Sequence, residues 1–130
     1  MPLSAVVDAS VLVSAFLFPE SVPGLIVKLA RQGRFAGHVS SILLDETRGA
    51  LLSARLRNSY GHDEQAVLEF LANLETYCSI YRGPLPDIGQ VCRDPGDDHV
   101  IATAIAVGTR YIVTGDKDLL TLARFREVRL

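Results

Sequence analysis

Short apolar blocks alternate along this chain with longer stretches in which apolar residues recur every three or four positions. SAVV (4–7) reads as a short buried strand ending at Asp8. The run SVLVSAFLF (10–18) is too short for periodicity to separate strand from helix. Ser10 as a cap and Pro19 as a stop favour helix. A second helix fits 22–32, with Leu25, Ile26, Leu29 and Ala30 on one face and Gly33 as its stop. FAGHV (35–39) fits a strand. Ser40 or Ser41 then caps a helix expected to run to about Leu56, and 57–62 reads as a turn.

The pattern continues in the same way to the end. A long amphipathic helix is expected from about Asp63 to Thr76, built on Val67, Leu68, Leu71 and Leu74. CSIYR (78–82) reads as a strand, GPLPDIG as a loop, and RDPGDD (93–98) as a turn feeding a helix over 97–107. Val100, Ile101, Ala104 and Ile105 form that helix's apolar face, and Gly108 ends it. RYIVT (110–114) reads as a buried strand, followed by a short helix near Leu119–Leu122 and a last strand starting at EVRL. Alternating strands and helices predict an α/β fold, a parallel sheet with helices on both faces.

Composition narrows the class. The 130 residues, 48% apolar and 22% charged, fit one ordinary globular domain over residues 1–130. Cys78 and Cys92 make neither a disulfide framework nor a CxxC motif; reduced thiols are expected, with a bridge left open. No Lys or Arg precedes Lys28 and Asp8 interrupts the first apolar run, so neither a signal peptide nor a membrane span is expected. A cytoplasmic protein is the expectation.

The net charge of −2 argues against a basic coat for nucleic acid. The charge is uneven, however. Residues 86–118 carry six acids against three bases, a local −3, which leaves +1 for the remainder. In a doubly wound sheet, ligands bind outside the carboxyl ends of strands where the strand order reverses. Asp8 follows the first strand and Asp116 follows 110–114, so the two converge if those strands flank that point. Asp98, Asp118 and Glu46 can reach the same edge. Clustered carboxylates need a positive partner, and hard cations such as Mg²⁺ or Mn²⁺ take oxygen ligands.

Plainer roles stand beside these. Asp97 and Asp98 fit as acids stabilising a helix amino terminus, Asp118 as the cap of a short helix, and Glu46 as a solvated helix residue. Asp8, abutting an apolar strand, requires a partner or a task. His38, His62 and His99 lack zinc spacing, and His99 reads as a surface residue.

VVDASVLVSAF (6–16), SSILLDETRGALL (40–52) and RDPGDDHVIATAIAVGTRYIVTGDKDLL (93–120) together resemble the PIN-domain ribonucleases. The resemblance is nearest to the branch described as toxin components of bacterial toxin–antitoxin systems, and it covers nearly the whole chain in order. It implies a three-layer fold around a parallel sheet of about five strands, in the order 3-2-1-4-5. It implies a metal-dependent endoribonuclease using one or two Mg²⁺ or Mn²⁺ ions, with an RNA substrate. The four family acids fall on Asp8, Glu46 (rather than Asp45), Asp98 and Asp116, with Asp118 auxiliary. Ser10 and Thr114 fall where polar side chains orient the first acid. Ser10 departs from the Asn often found there. The chain stops at Leu130, so the last strand is expected to be short or truncated.

Arg48, Arg55 and Arg57 share one region near Glu46 and are candidates for guiding an RNA backbone, against the plainer reading of a solvated helix face. The toxin reading implies an antitoxin protein that blocks the acidic cleft; a homodimer is left open. Two rivals remain: a PIN-fold module that binds RNA without cutting it, and a phosphotransfer enzyme or receiver on a similar sheet. The second lacks its marks, since DAS at 8–10 has no second aspartate and the chain opens with no acidic pair.

Overall fold

A computed structural model describes residues 3–115, together with 124–125 and 128–129. The chain opens with β1 (Ser4–Val7), α1 (Ala9–Leu17), α2 (Val22–Arg31) and β2 (Ala36–Ser40). α3 (Ser41–Leu51), α4 (Ala54–Tyr60), α5 (Glu64–Tyr77) and β3 (Cys78–Tyr81) follow. After a long loop come one 3-10 turn (Pro95–Asp97), α6 (Asp98–Val107) and β4 (Ile112–Val113). The sheet they form is parallel, with the order β3-β2-β1-β4. β1 is therefore central, pairing Val6 with His38 on one side and with Ile112 on the other.

The expected α/β class and order hold over these four strands. The fifth parallel strand is not found among the described residues. Instead β5 (Arg124–Phe125) and β6 (Val128–Arg129) pair antiparallel as a separate ribbon. The short helix expected near Leu119–Leu122 lies outside the described residues.

The order creates the switch point that the sequence calls for. From β1 the chain runs to β2 and β3 on one side, then crosses back through α6 to β4 on the other. Right-handed crossovers in opposite directions put α6 on the face opposite α1, α2, α3 and α5. The core fills both layers: Val6, Val39, Leu12, Leu43 and Leu74 are almost wholly buried, as are Val100 and Ile101 of α6.

Local chemistry sets the boundaries. Asp8, not Ser10, caps α1: the chain leaves β1 extended at Asp8 and enters the helix at once, and the Asp8 side chain accepts from the Ala9 amide. The helix expected from Ser40 to Leu56 is two helices. Ser53 donates to the Ala50 carbonyl at 2.7 Å and its oxygen accepts from the Leu56 amide, so it closes one helix and caps the next. The expected turn at 57–62 is consequently helical to Tyr60, and Gly61, at φ 72°, ends it. Two apolar faces are rotated from the simple pattern. Leu25 and Leu68 are exposed, while Gly24, Val27 and Val67 are buried. Gly24 is required there, because a Cβ would meet the Pro19 carbonyl oxygen at 2.2 Å. Thr109 donates to the Ser4 carbonyl at 2.8 Å and accepts the Ser4 hydroxyl, tying the α6–β4 turn to the start of β1.

Cys78 and Cys92 are both buried, and no disulfide joins them. Among the described residues no single helix is long and apolar enough to cross a membrane.

Candidate active site

β1 ends in a charge. Asp8 is 6% exposed, and such a carboxylate must be hydrogen-bonded to be kept there. Its Oδ1 accepts from the Ala9 amide at 2.8 Å. Its Oδ2 accepts from the Thr114 hydroxyl at 2.6 Å and from the Ser10 hydroxyl at 3.1 Å. Ser10 Oγ in turn accepts from the Gly115 amide at 3.0 Å. The residues that follow β1 and β4 are thus locked together on one carboxylate at the switch point.

An open cleft of about 590 Å³ begins at Asp8 and Ser10 and is walled by Glu46 of α3, Arg55 of α4 and Asp97 at the start of α6. The break at Ser53 matters here, since it turns α4 so that Arg55 lines the cleft. Neighbouring side chains divide by direction. Asp45 pairs with Arg48 at 3.3 Å on the exposed side of α3, whereas Glu46 lines the cleft. Arg57 lines a different cavity, with Leu52, Asn58 and His62. Only Arg55 of the three candidate arginines stands in the wall with the acids.

Asp97 and Asp98 divide in the same way: Asp97 lines the cleft, while Asp98, on which the family acid falls, bonds the loop before α6. Asp98 faces the preceding loop: its Oδ1 accepts from the Cys92 amide at 2.6 Å, and both its oxygens accept from the Val91 amide at 3.2 Å. Burial pushes its carboxyl up. The bonds from the Cys92 amide and thiol and from the Val91 amide, with the nearby His99 charge, outweigh that and hold it below the usual carboxylate value. Asp97 occupies the cap position of α6 without capping it, and its side chain joins the cleft wall instead. The one available signal was helical geometry: adjacent residues at a helix start diverge by about 100°, so only one of the pair can face the cleft.

His99, expected at the surface, is mostly buried instead. Its side chain is only 16% exposed, and Nε2 lies 3.1 Å from Glu46 Oε2, joining α6 to α3. Asp116 and Asp118 lie outside the described residues. Among the described residues no three His, Cys, Asp or Glu side chains stand close enough together to hold a metal ion. The donors that line the cleft are nonetheless all carboxylate and hydroxyl oxygens, the ligand class of hard cations.

Comparison with known proteins gives the same architecture a lineage. The sequence pattern of the PIN domain family matches residues 4–118. An uncharacterised protein of Methanocaldococcus jannaschii is 32% identical over 120 residues, which are 92% of this chain and 75% of that one. The crystal structure of VapC20 from Mycobacterium tuberculosis, described as a sarcin–ricin loop cleaving toxin, superposes with a TM-score of 0.63. That match covers 97% of this chain and 99% of the other at 19% identity, a likeness of fold.

Proposed function

This chain belongs to the PIN domain family, and on that premise we propose that it is a metal-dependent endoribonuclease that hydrolyses RNA phosphodiester bonds. The observation that carries the reading is Asp8. A nearly buried carboxylate is fixed by Ser10 and Thr114 at the carboxyl end of the central strand, and it shares one cleft with Glu46, Asp97 and Arg55.

Asp8 and Glu46, with Asp97 or Asp98 from the start of α6, would supply oxygens toward a divalent cation, Mg²⁺ or Mn²⁺, in a set that Asp116 would complete, with Asp118 auxiliary. The cation supplies the positive charge that activates water and stabilises in-line displacement at phosphorus. Ser10 and Thr114 hold Asp8 in one orientation, because each donates to the same oxygen. Arg55 attracts the phosphate backbone into a wall otherwise lined by acids. Asp98, on which the family acid falls, also grips the loop before α6, and substitution of each decides whether it or Asp97 serves the cation. Residues 1–130 are read as one PIN-like domain working in the cytoplasm. VapC20 is described as a toxin that cleaves the sarcin–ricin loop; by likeness to it, this chain is proposed as the toxin of a toxin–antitoxin pair, with a small antitoxin covering the cleft.

Arg55 in the cleft wall also suits a second reading, a PIN-fold module that binds RNA without cutting it. One experiment separates the two. Purified protein and Asp8→Asn are incubated with RNA and Mn²⁺. Cleavage by the wild type that is lost in Asp8→Asn supports the nuclease. RNA binding with no cleavage by the wild type supports the module.

A further inference from the structure

Glu46 is the one cleft acid whose position is not explained by its own helix. Its side chain is 46% exposed, and a long exposed glutamate samples many rotamers. One hydrogen bond among the described residues narrows that freedom, and it comes from α6. His99 Nε2 lies 3.1 Å from Glu46 Oε2, although the two residues are 53 positions apart. The ring is well placed to be the fixed partner. It is mostly buried, it leaves the first turn of α6, and that turn is pinned on both sides of the ring. Asp98 grips the Val91 and Cys92 amides, and the Thr103 hydroxyl donates to the His99 carbonyl at 2.7 Å. The second ring nitrogen, Nδ1, is buried with no partner among the described residues. Among the described residues only Nε2 of the ring has an acceptor within reach, so the geometry points to a proton on Nε2 that is donated to Glu46.

We propose that His99 is a positioning residue: it holds Glu46 in the cleft wall through Oε2 and leaves Oε1 for a divalent cation. This rests on the nuclease reading above. A hydrogen-bond partner one step removed from a ligand fixes its orientation, and losing it typically weakens metal affinity or activity by 10–100-fold.

The test titrates Mn²⁺ alone into wild type, Asp8→Asn, His99→Ala and His99→Gln by calorimetry, with thermal unfolding and RNA cleavage on the same samples. Gln can place an amide donor near the position of Nε2. The expected result is Mn²⁺ affinity abolished in Asp8→Asn, weakened about 10-fold in His99→Ala, and restored to within roughly threefold in His99→Gln. The loss in His99→Ala should fall on kcat more than on KM. ¹⁵N spectra of the wild-type ring should report a proton on Nε2. If Asp8→Asn loses Mn²⁺ while His99→Ala binds as wild type, this inference falls alone. If wild type does not bind Mn²⁺, it falls together with the nuclease reading. A ring protonated on Nδ1 alone overturns it, and so does a His99→Gln protein that melts as wild type yet binds no better than His99→Ala.

Discussion

Thr114 Oγ1 donates to Asp8 Oδ2 at 2.6 Å, joining two residues 106 positions apart in sequence. Thr114→Val keeps the shape and removes the donor, so a nearly buried carboxylate loses one of its three hydrogen bonds. The variant should lose about 1.5–3 kcal/mol of stability, the range for a bond to a charged group. Mn²⁺-dependent cleavage should fall at least about tenfold, because the orientation of Asp8 is lost with the bond. Urea unfolding and initial cleavage rates measure both. Unchanged rates would mean that Asp8 needs no such support.

Asp97 and Asp98 should separate cleanly by substitution. Asp97→Asn is expected to abolish cleavage and leave the melting temperature near wild type. Asp98→Asn is expected to keep measurable cleavage and to lose about 1–3 kcal/mol of stability, because a charged acceptor of three hydrogen-bonded groups is removed. The opposite order of effects would return the cleft role to Asp98.

The Asp98 clamp also carries a pH signature. Its folded pKa is held below the unfolded value of about 3.9. A depressed carboxylate adds stability that is present above the unfolded pKa and is lost as pH falls through the folded one. The stability gap between wild type and Asp98→Asn should therefore be widest near neutrality and close in acid. Denaturant midpoints taken from neutral to acid conditions test this, and a gap that widens in acid contradicts the clamp.

Arg55 and Arg57 lie two residues apart in one short helix, yet only Arg55 lines the cleft. Arg55→Ala should raise KM for RNA and lower the salt slope of binding by about one unit, the signature of one lost phosphate contact. Arg57→Ala should change neither. Filter binding at several salt concentrations reads the slope. Equal effects of the two variants would place the RNA outside the cleft.

Burial pushes the Cys78 thiol up to about 11. The thiolate is the reactive form, so native Cys78 should resist alkylation at neutral pH and react only when the chain unfolds. Iodoacetamide labelling followed by peptide mass mapping, with and without urea, checks it. Rapid native labelling would show that β3 opens readily.

The fold was legible because strands and helices here differ in length and period. SAVV and the helix 97–107 stand where the sequence places them. Errors arose where two local signals competed. Ser53 reads as an ordinary helix residue until its hydroxyl is seen to bond both Ala50 and Leu56. At the candidate site, the burial of Asp8 follows from a charge that ends a central strand. The division of Asp97 to the cleft and Asp98 to the loop amides depends on which way a side chain turns at a helix start, and identical neighbours carry no mark of that. His99 was not readable, since its partner lies on another helix and its burial comes from packing.

The bond from Asp98 to the Val91 and Cys92 amides divides the connection between β3 and α6 into two unequal parts. The longer part, 82–90, runs past the start of α6, where Leu85 and Ile88 share a cavity with Asp98 and His99. The shorter part, 93–97, ends on Asp97, two residues before His99. Extra length in the longer part adds to a loop whose closure costs little and leaves the Val91 and Cys92 amides on Asp98. A single insertion in the shorter part would turn the start of α6 and move Asp97 and His99 at once. One carboxylate thereby decides which half of the loop can change length without disturbing the cleft.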